Sequence, residues 1–109
     1  MALHHIRSIG VGKRLVISDY DPQWPILYEH EKEIILRAVG DRLVSIEHVG
    51  STSVPGLGAK PIIDVMAGLP RLADADACIP LLEAAGYTFV AEALKDRPDD
   101  RYFERWTEG

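Results

Sequence analysis

Residues 50–64 read GSTSVPGLGAKPIID, and this stretch decides how the rest of the chain is interpreted. Glycine, proline and hydroxyl side chains dominate its first eleven positions, which is the composition of a loop. From Pro61 to Leu69 the chain is then almost continuously apolar, as is typical of a strand covered on both faces. The sequence therefore predicts a polar loop that leads directly into a buried strand.

The start of this loop has the chemistry of an anion site. Gly50 tolerates a positive φ, so the backbone N–H groups of Ser51, Thr52 and Ser53 can turn toward one point. Lys60 can bring a mobile positive charge to the same place. We expect a phosphate group there. The alternative, left open by the sequence, is a glycine and serine turn that only caps a short helix.

Asp64 is the one acid in the apolar run after the loop. An ionised carboxylate in a buried strand is costly unless a metal, a base or water reaches it. We therefore expect Asp64 to be the catalytic residue and to hold Mg²⁺, which would bridge its carboxylate and the phosphate oxygens. The competing interpretation is an acid at a strand end that caps a neighbouring turn.

Several other side chains have both a functional and a structural interpretation. His48, just before the loop, could contact the phosphate or act as an acid or base, or else be a hydrogen-bonded structural residue. Tyr20, Asp21 and Trp24 could brace the loop or stack on a base, but their segment favours fixing the entry to the first helix. The histidines at positions 4 and 5 have no partner at ligand spacing, so no metal site is predicted there.

The remaining pattern predicts helices alternating with strands. Residues 1–13 show no period, and we expect an N-terminal arm without a function. Asp21 is a plausible N-cap for the first helix, and Pro80 lies inside the second. The predicted elements are strand Arg14–Ser18, helix Trp24–Gly40, strand Leu43–Val49, strand Pro61–Leu69, helix Arg71–Gly86, and strands Tyr87–Ala91 and Tyr102–Trp106.

Composition limits the function classes. The 109 residues fit one domain, and no apolar run approaches the ~20 residues that cross a bilayer. A net charge of −5 gives no general attraction to nucleic acid or to anionic lipid. The single cysteine, Cys78, excludes an intrachain disulfide and is expected to fill the core. We expect a cytoplasmic protein that binds neither nucleic acid nor membrane.

Three blocks together resemble the GrpB family of the nucleotidyltransferase-like superfamily. They are VISDYDPQWPILYEHE, IEHVGSTSVPGLGAKPIIDVMAGL and LLEAAGYTFV, in that order, and the resemblance covers about residues 14–106. It implies an α/β (α+β) fold, a nucleotidyltransferase-like mixed β-sheet flanked by helices, in a domain of residues 14–109. The domain occurs alone or fused to dephospho-coenzyme A kinase. Because chains of this family continue into a histidine-bearing strand and a helix, we expect this domain to lack its C-terminal part.

One position departs from the superfamily pattern, which has two acids separated by one residue on a strand. Met66 occupies the second position, and a thioether does not replace a carboxylate as a ligand for a hard ion. Glu47 or Glu92 could supply the missing carboxylate, although their spacing does not require it.

Two function classes follow. In the first, Gly50, Ser51, Thr52, Ser53, Lys60 and His48 bind a nucleotide or another phosphorylated small molecule with Mg²⁺ at Asp64, and nucleotidyl transfer is the reaction such a site would support. In the second, the chain is a non-catalytic accessory or protein-interaction module with a degenerate active site. The second class includes docking to another protein or to itself, as in a homo-oligomer. A third possibility is that the chain is a fragment whose activity resides in a longer protein.

Overall fold

The structure is a computed structural model that describes residues 2–11, 16–95 and 97–108. Short 3₁₀ turns at Gly40–Arg42, Ser51–Ser53 and Ala91–Lys95 connect its main elements. These elements are β1 (Ala2–Val11), α1 (Trp24–Val39), β2 (Ser45–Val49), β3 (Ile62–Leu69), α2 (Leu72–Ala84), β4 (Thr88–Phe89) and β5 (Asp100–Glu108).

The five strands form one mixed sheet in the order β2-β3-β1-β5-β4. Strand β1 lies at its centre, antiparallel to β3 on one side and parallel to β5 on the other. Strand β2 pairs with the outer side of β3, and the short β4 pairs with β5. A mixed sheet with two helices confirms the predicted α+β fold class.

The prediction of an N-terminal arm is wrong for residues 2–11, which form the central strand β1. The alternation of apolar and polar residues that marks a strand is not visible here, because some side chains on the buried face of β1 are polar. His4 is completely buried, and its Nε2–H donates to the carbonyl oxygen of Ala75, 2.9 Å away. Ile6, on the same face, is 1% exposed. A buried histidine with a backbone partner replaces the apolar residue that a pattern search needs.

Both helices cover the same face of the sheet. The core between the layers includes Ile6, Val65 and Phe103 from the strands, packed with Ile35 and Leu82 from the helices. Cys78 is fully buried, as expected. Because neighbouring positions alternate between faces, Asp64 and Met66 lie on the opposite face, where both are only half-buried. The prediction that β3 is covered on both faces is therefore wrong.

Most other predicted elements are present with shifted ends. Helix α1 starts at Trp24 and stops before Gly40, and the Oδ1 of Asp21 accepts a hydrogen bond from the N–H of Gln23. Helix α2 continues through Pro80. The predicted strand at 87–91 is reduced to the two residues of β4. Most of the one at 14–18 lies outside the described residues or outside any strand, except for a single bridge between Ser18 and Ala59.

One buried ion pair joins the two layers. The carboxylate of Glu31 on α1 is buried and accepts a hydrogen bond from Nη1 of Arg105 on β5, 2.5 Å away. In the part of the chain that the structure describes, no helix is both long enough and apolar enough to cross a membrane.

Candidate functional site

The loop after β2 closes into a tight turn at its first glycine. Gly50 adopts a φ of 77°, in the region that favours glycine. The backbone N–H and the hydroxyl of Ser53 both donate to the carbonyl oxygen of Gly50, at 3.1 and 2.5 Å. Ser53 therefore uses its hydroxyl within the turn, whereas Ser51 is exposed.

Asp64 lies directly against this turn, as the sequence predicts. A Cβ atom added to Gly50 would stand 2.6 Å from Oδ2 of Asp64, closer than any normal contact. The pairing of Val49 on β2 with Asp64 on β3 produces this approach, because Gly50 follows Val49 immediately. Glycine at position 50 thus serves both the backbone conformation and the space that the carboxylate occupies.

Two side chains of β1 hold the Asp64 carboxylate. Arg7 donates from Nε to Oδ1 at 3.0 Å, and Nε2 of His5 lies 3.4 Å from the same oxygen. Burial alone would raise the pKa of Asp64, but the contact with His5 and the charge and hydrogen bond of Arg7 outweigh it and hold the pKa below its usual value. Asp64 is therefore an ionised, paired carboxylate.

The donor set around Asp64 does not fit a resident Mg²⁺ ion. Mg²⁺ prefers an octahedron of oxygen ligands, and protein sites usually supply one or two carboxylates. Asp64 is the only ligand that the sequence predicts, and its Oδ1 already accepts a hydrogen bond from the guanidinium of Arg7. Met66, two positions further along the same face of β3, offers no carboxylate. Among the described residues, no three His, Cys, Asp or Glu side chains come together as metal ligands. The predicted Mg²⁺ thus stays a prediction without support from this arrangement.

Beside Asp64 there is a cleft of about 370 Å³, which we call the loop cleft. Its wall includes Arg7, Ser51 and Lys60 in addition to Asp64. Its remaining lining residues are Ile17, Thr52, Gly58, Ala59 and Ile62. The cleft combines two cations and one exposed hydroxyl with a single, already paired carboxylate.

Thr52 and His48 have their polar atoms engaged within the fold. Thr52 is 1% exposed, and its hydroxyl donates to the carbonyl oxygen of Ile62 at 2.8 Å. Since that hydroxyl has only one proton, Nε2 of His48, 3.0 Å away, must be its donor. His48 also stacks on Tyr28, and burial lowers its pKa although the charge of Asp64 acts the other way. These contacts on the helix-covered face favour a structural role for His48, the alternative that the sequence left open.

Two residues of β1 lie at the site without having been predicted from the sequence. His5 and Arg7 are separated by one position, so they share a face of the strand, and that spacing was the available signal. Nothing in the local pattern indicates that this strand pairs with β3 in a register that aligns Arg7 with Asp64. Glu47 also shares the open face of the sheet, opposite Met66, whereas Glu92 lies beside β5.

Comparison with known proteins places this geometry in a family. The GrpB protein family matches residues 14–108, which excludes β1. A UPF0157 protein of Halalkalibacterium halodurans is 46% identical over 74 residues, which are 68% of this chain and 38% of that protein. The glutamate-rich protein GrpB of Alkalihalophilus pseudofirmus is 32% identical over 90 residues, 81% of this chain and 52% of the relative.

Two further comparisons concern fold and length. A crystal structure of GrpB from Enterococcus faecalis superposes with a TM-score of 0.68 at 23% identity, over 84% of this chain and 61% of that one. A dephospho-CoA kinase of Mycolicibacterium paratuberculosis is 36% identical over 86 residues, 74% of this chain but 21% of the kinase. The chain thus spans less than half the length of several relatives. From the family match over most of its length, this chain belongs to the GrpB family.

Proposed function

We propose that this chain binds a nucleotide or another phosphate ester in the loop cleft, with the phosphate between Arg7 and Lys60. The observation that carries the proposal is the Arg7 guanidinium, fixed by Asp64 at 3.0 Å in the wall of the cleft that Lys60 also lines. Two cations around one cleft are a local excess of positive charge in a chain whose net charge is −5.

Arg7 is held so that it can still bind an anion. Its bond to Asp64 uses Nε, and its terminal nitrogens have no hydrogen-bond partner among the described residues. A guanidinium offers paired donors that match phosphate oxygens, and such charge-assisted bonds are stronger than neutral ones. Asp64 then acts as a positioning residue for Arg7, and Lys60 adds a mobile point charge.

Phosphate binding is compatible with group transfer. Arginine and lysine side chains that stabilise charge on phosphate oxygens are the usual protein contribution to phosphoryl and nucleotidyl transfer. The enzyme name of the dephospho-CoA kinase relative points to a phosphorylated substrate, so dephospho-coenzyme A belongs among the compounds to test. For this chain we propose binding as the function, and transfer as the reaction to be sought once a ligand is known.

Isothermal titration calorimetry with ATP, dephospho-coenzyme A and inorganic phosphate, with EDTA present, tests the proposal. We expect saturable binding of at least one compound, and Lys60→Gln should weaken it about tenfold through loss of one charge-assisted contact. Lys32→Gln on α1 removes the same charge away from the cleft and should leave the affinity unchanged.

Three outcomes would contradict the proposal. They are no binding of any of these compounds, equal affinity of the Lys60→Gln variant and the unchanged protein, or binding that appears only when Mg²⁺ replaces EDTA. The last outcome would restore the metal site predicted from the sequence.

A docking module is the second candidate function, favoured by the open face of the sheet. The helices leave this face uncovered, and Trp106 on β5 is 55% exposed. Tryptophan is enriched among the residues that contribute most of the binding energy at protein interfaces. Light scattering distinguishes the candidates, because docking to a second copy predicts a dimer that Trp106→Ser dissociates, whereas a ligand-binding monomer keeps its mass in both forms.

A further inference from the structure

We propose that the binding site continues past Arg7 into a second cleft, and that this cleft takes a second anionic group of the same phosphate ester. The proposal rests on the proposed function, because it extends the loop cleft rather than replacing it. It assigns Lys95 and Arg97 as ligand-binding residues.

The second cleft lies on the β5 side of Arg7. It has a volume of about 550 Å³, and His5, Arg7 and Tyr102 from the sheet line it together with the segment after β4. Arg7 lines both clefts, so they meet at its side chain. The guanidinium carbon of Arg7 is 5.8 Å from the centre of the Tyr102 ring, which places this arginine between the carboxylate of Asp64 and an aromatic surface.

More cations than carboxylates line the second cleft. Its lining contains Arg7, Lys95, Arg97 and Arg101 against the carboxylates of Glu92 and Asp100. Arg101 is already paired with Asp76, at 2.6 Å from Nε to Oδ1.

The two remaining cations are the ones that matter for a ligand. Neither Lys95 nor Arg97 forms an ion pair with another residue within 2–11, 16–95 and 97–108, and both are exposed. Glu92 and Asp100 also line the cleft, but neither lies within ion-pair distance of Lys95 or Arg97, so among the described residues both cations are free to contact an anion of a ligand.

The spacing of the strands limits the ligand. Strands β3 and β5 flank β1, and neighbouring strands lie ~4.8 Å apart, so a ligand that reaches from the loop cleft into the second cleft must span roughly 10 Å. A single phosphate is too short for this distance. A phosphate ester with a second anionic group, or a chain of several phosphates, is long enough and can contact Arg7 at its middle.

Calorimetric titration of the whole chain with inorganic phosphate and with inorganic tripolyphosphate, both in EDTA, tests the second cleft. The double variant Lys95→Gln/Arg97→Gln should lower the affinity for tripolyphosphate at least about tenfold and change the affinity for phosphate less than about twofold. The matched control is Lys32→Gln/Arg37→Gln on α1, which removes the same two charges and should preserve both affinities.

The outcomes separate this inference from the proposed function. The inference is overturned if the cleft variant lowers the affinities for tripolyphosphate and for phosphate equally, or if it lowers neither. In both cases the second cleft takes no anion, while the loop cleft stands. The inference is also overturned if the α1 control loses as much tripolyphosphate affinity as the cleft variant, because the change in net charge then explains the effect. If the unchanged protein binds neither anion, this inference is overturned, and the titrations with ATP and dephospho-coenzyme A decide the proposed function separately.

Discussion

At the scale of single residues, the site depends on how a carboxylate is kept in a half-buried position. Asp64 is expensive to desolvate, and the guanidinium of Arg7 and the imidazole of His5 contact its carboxylate and offset this cost. Gly50 makes room for this arrangement, since a side chain there would collide with the carboxylate. Gly50, expected from the sequence for its backbone freedom, is thus also a packing requirement.

Replacing Gly50 by alanine should destabilise the fold by about 3 kcal/mol, because the new Cβ adds a collision with Asp64 to the strain of a positive φ. Gly56→Ala is the matched control. Gly56 has a φ of 81°, and a Cβ atom added there would meet nothing within 4 Å, so strain alone should cost about 1 kcal/mol. Urea denaturation measures both values, and equal losses would show that Asp64 does not occupy the space beside Gly50.

At the scale of elements, β1 decides the architecture. It joins β3 to β5, so the sheet would separate into two pairs of strands without it. It also carries the Arg7 cation of the loop cleft, although it lies outside the segment that matches the family. Strand β1, whose sequence shows no regular pattern, therefore forms the centre of the sheet and provides a main contact of the proposed site.

The substitution Ile6→Ala should lower the free energy of unfolding by about 2–5 kcal/mol, because Ile6 is 1% exposed in the core between the sheet and the helices. The control Ile17→Ala, at a position 76% exposed, should change it by less than about 0.5 kcal/mol. Denaturant titration of the two variants distinguishes a central strand from an arm. Similar small effects in both would mean that residues 2–11 do not pack in the core.

At the scale of the whole molecule, one buried histidine links the fold to pH. Burial lowers the pKa of His4 from 6.5 to about 4, and the backbone carbonyl of Ala75 and the charges of Arg101 and Asp76 change it less. The unfolded chain takes up a proton at His4 below pH 6.5, whereas the folded chain does so only near pH 4. Stability is therefore lost as the pH falls from 6.5 toward 4.

The loss attributable to His4 over this range should be at most about 3 kcal/mol. His4→Leu removes the titrating group, so the free energy of unfolding of this variant should depend much less on pH between 6.5 and 4. Denaturation curves at a series of pH values measure both slopes. A wild-type stability that stays constant over this range, or an unchanged slope in the variant, would show that His4 is not buried in its neutral form. Below pH 4, protonation of Asp64, whose pKa is lowered, adds a separate loss.

The amino-acid sequence by itself determined the features that are local. The helix from Trp24 to Gly40, the turn at Gly50 and the strand that delivers Asp64 follow from periodicity, backbone freedom and composition within a few residues. The family was recognised from three sequence blocks that resemble GrpB, and the fold class followed from that resemblance. Local signals succeed because hydrogen bonds and side-chain periods of helices and turns involve neighbours along the chain.

Only the tertiary structure decided what surrounds Asp64. The register that aligns Arg7 with Asp64 joins positions 57 residues apart, and no local pattern encodes such a pairing. The same pairing places an arginine beside the carboxylate that was expected to hold Mg²⁺, and the pairing of β2 with β3 puts His48 on the covered face of the sheet. Strand pairing is a contact between distant segments, so its energy comes from burial and hydrogen bonds that exist only once the sheet has formed.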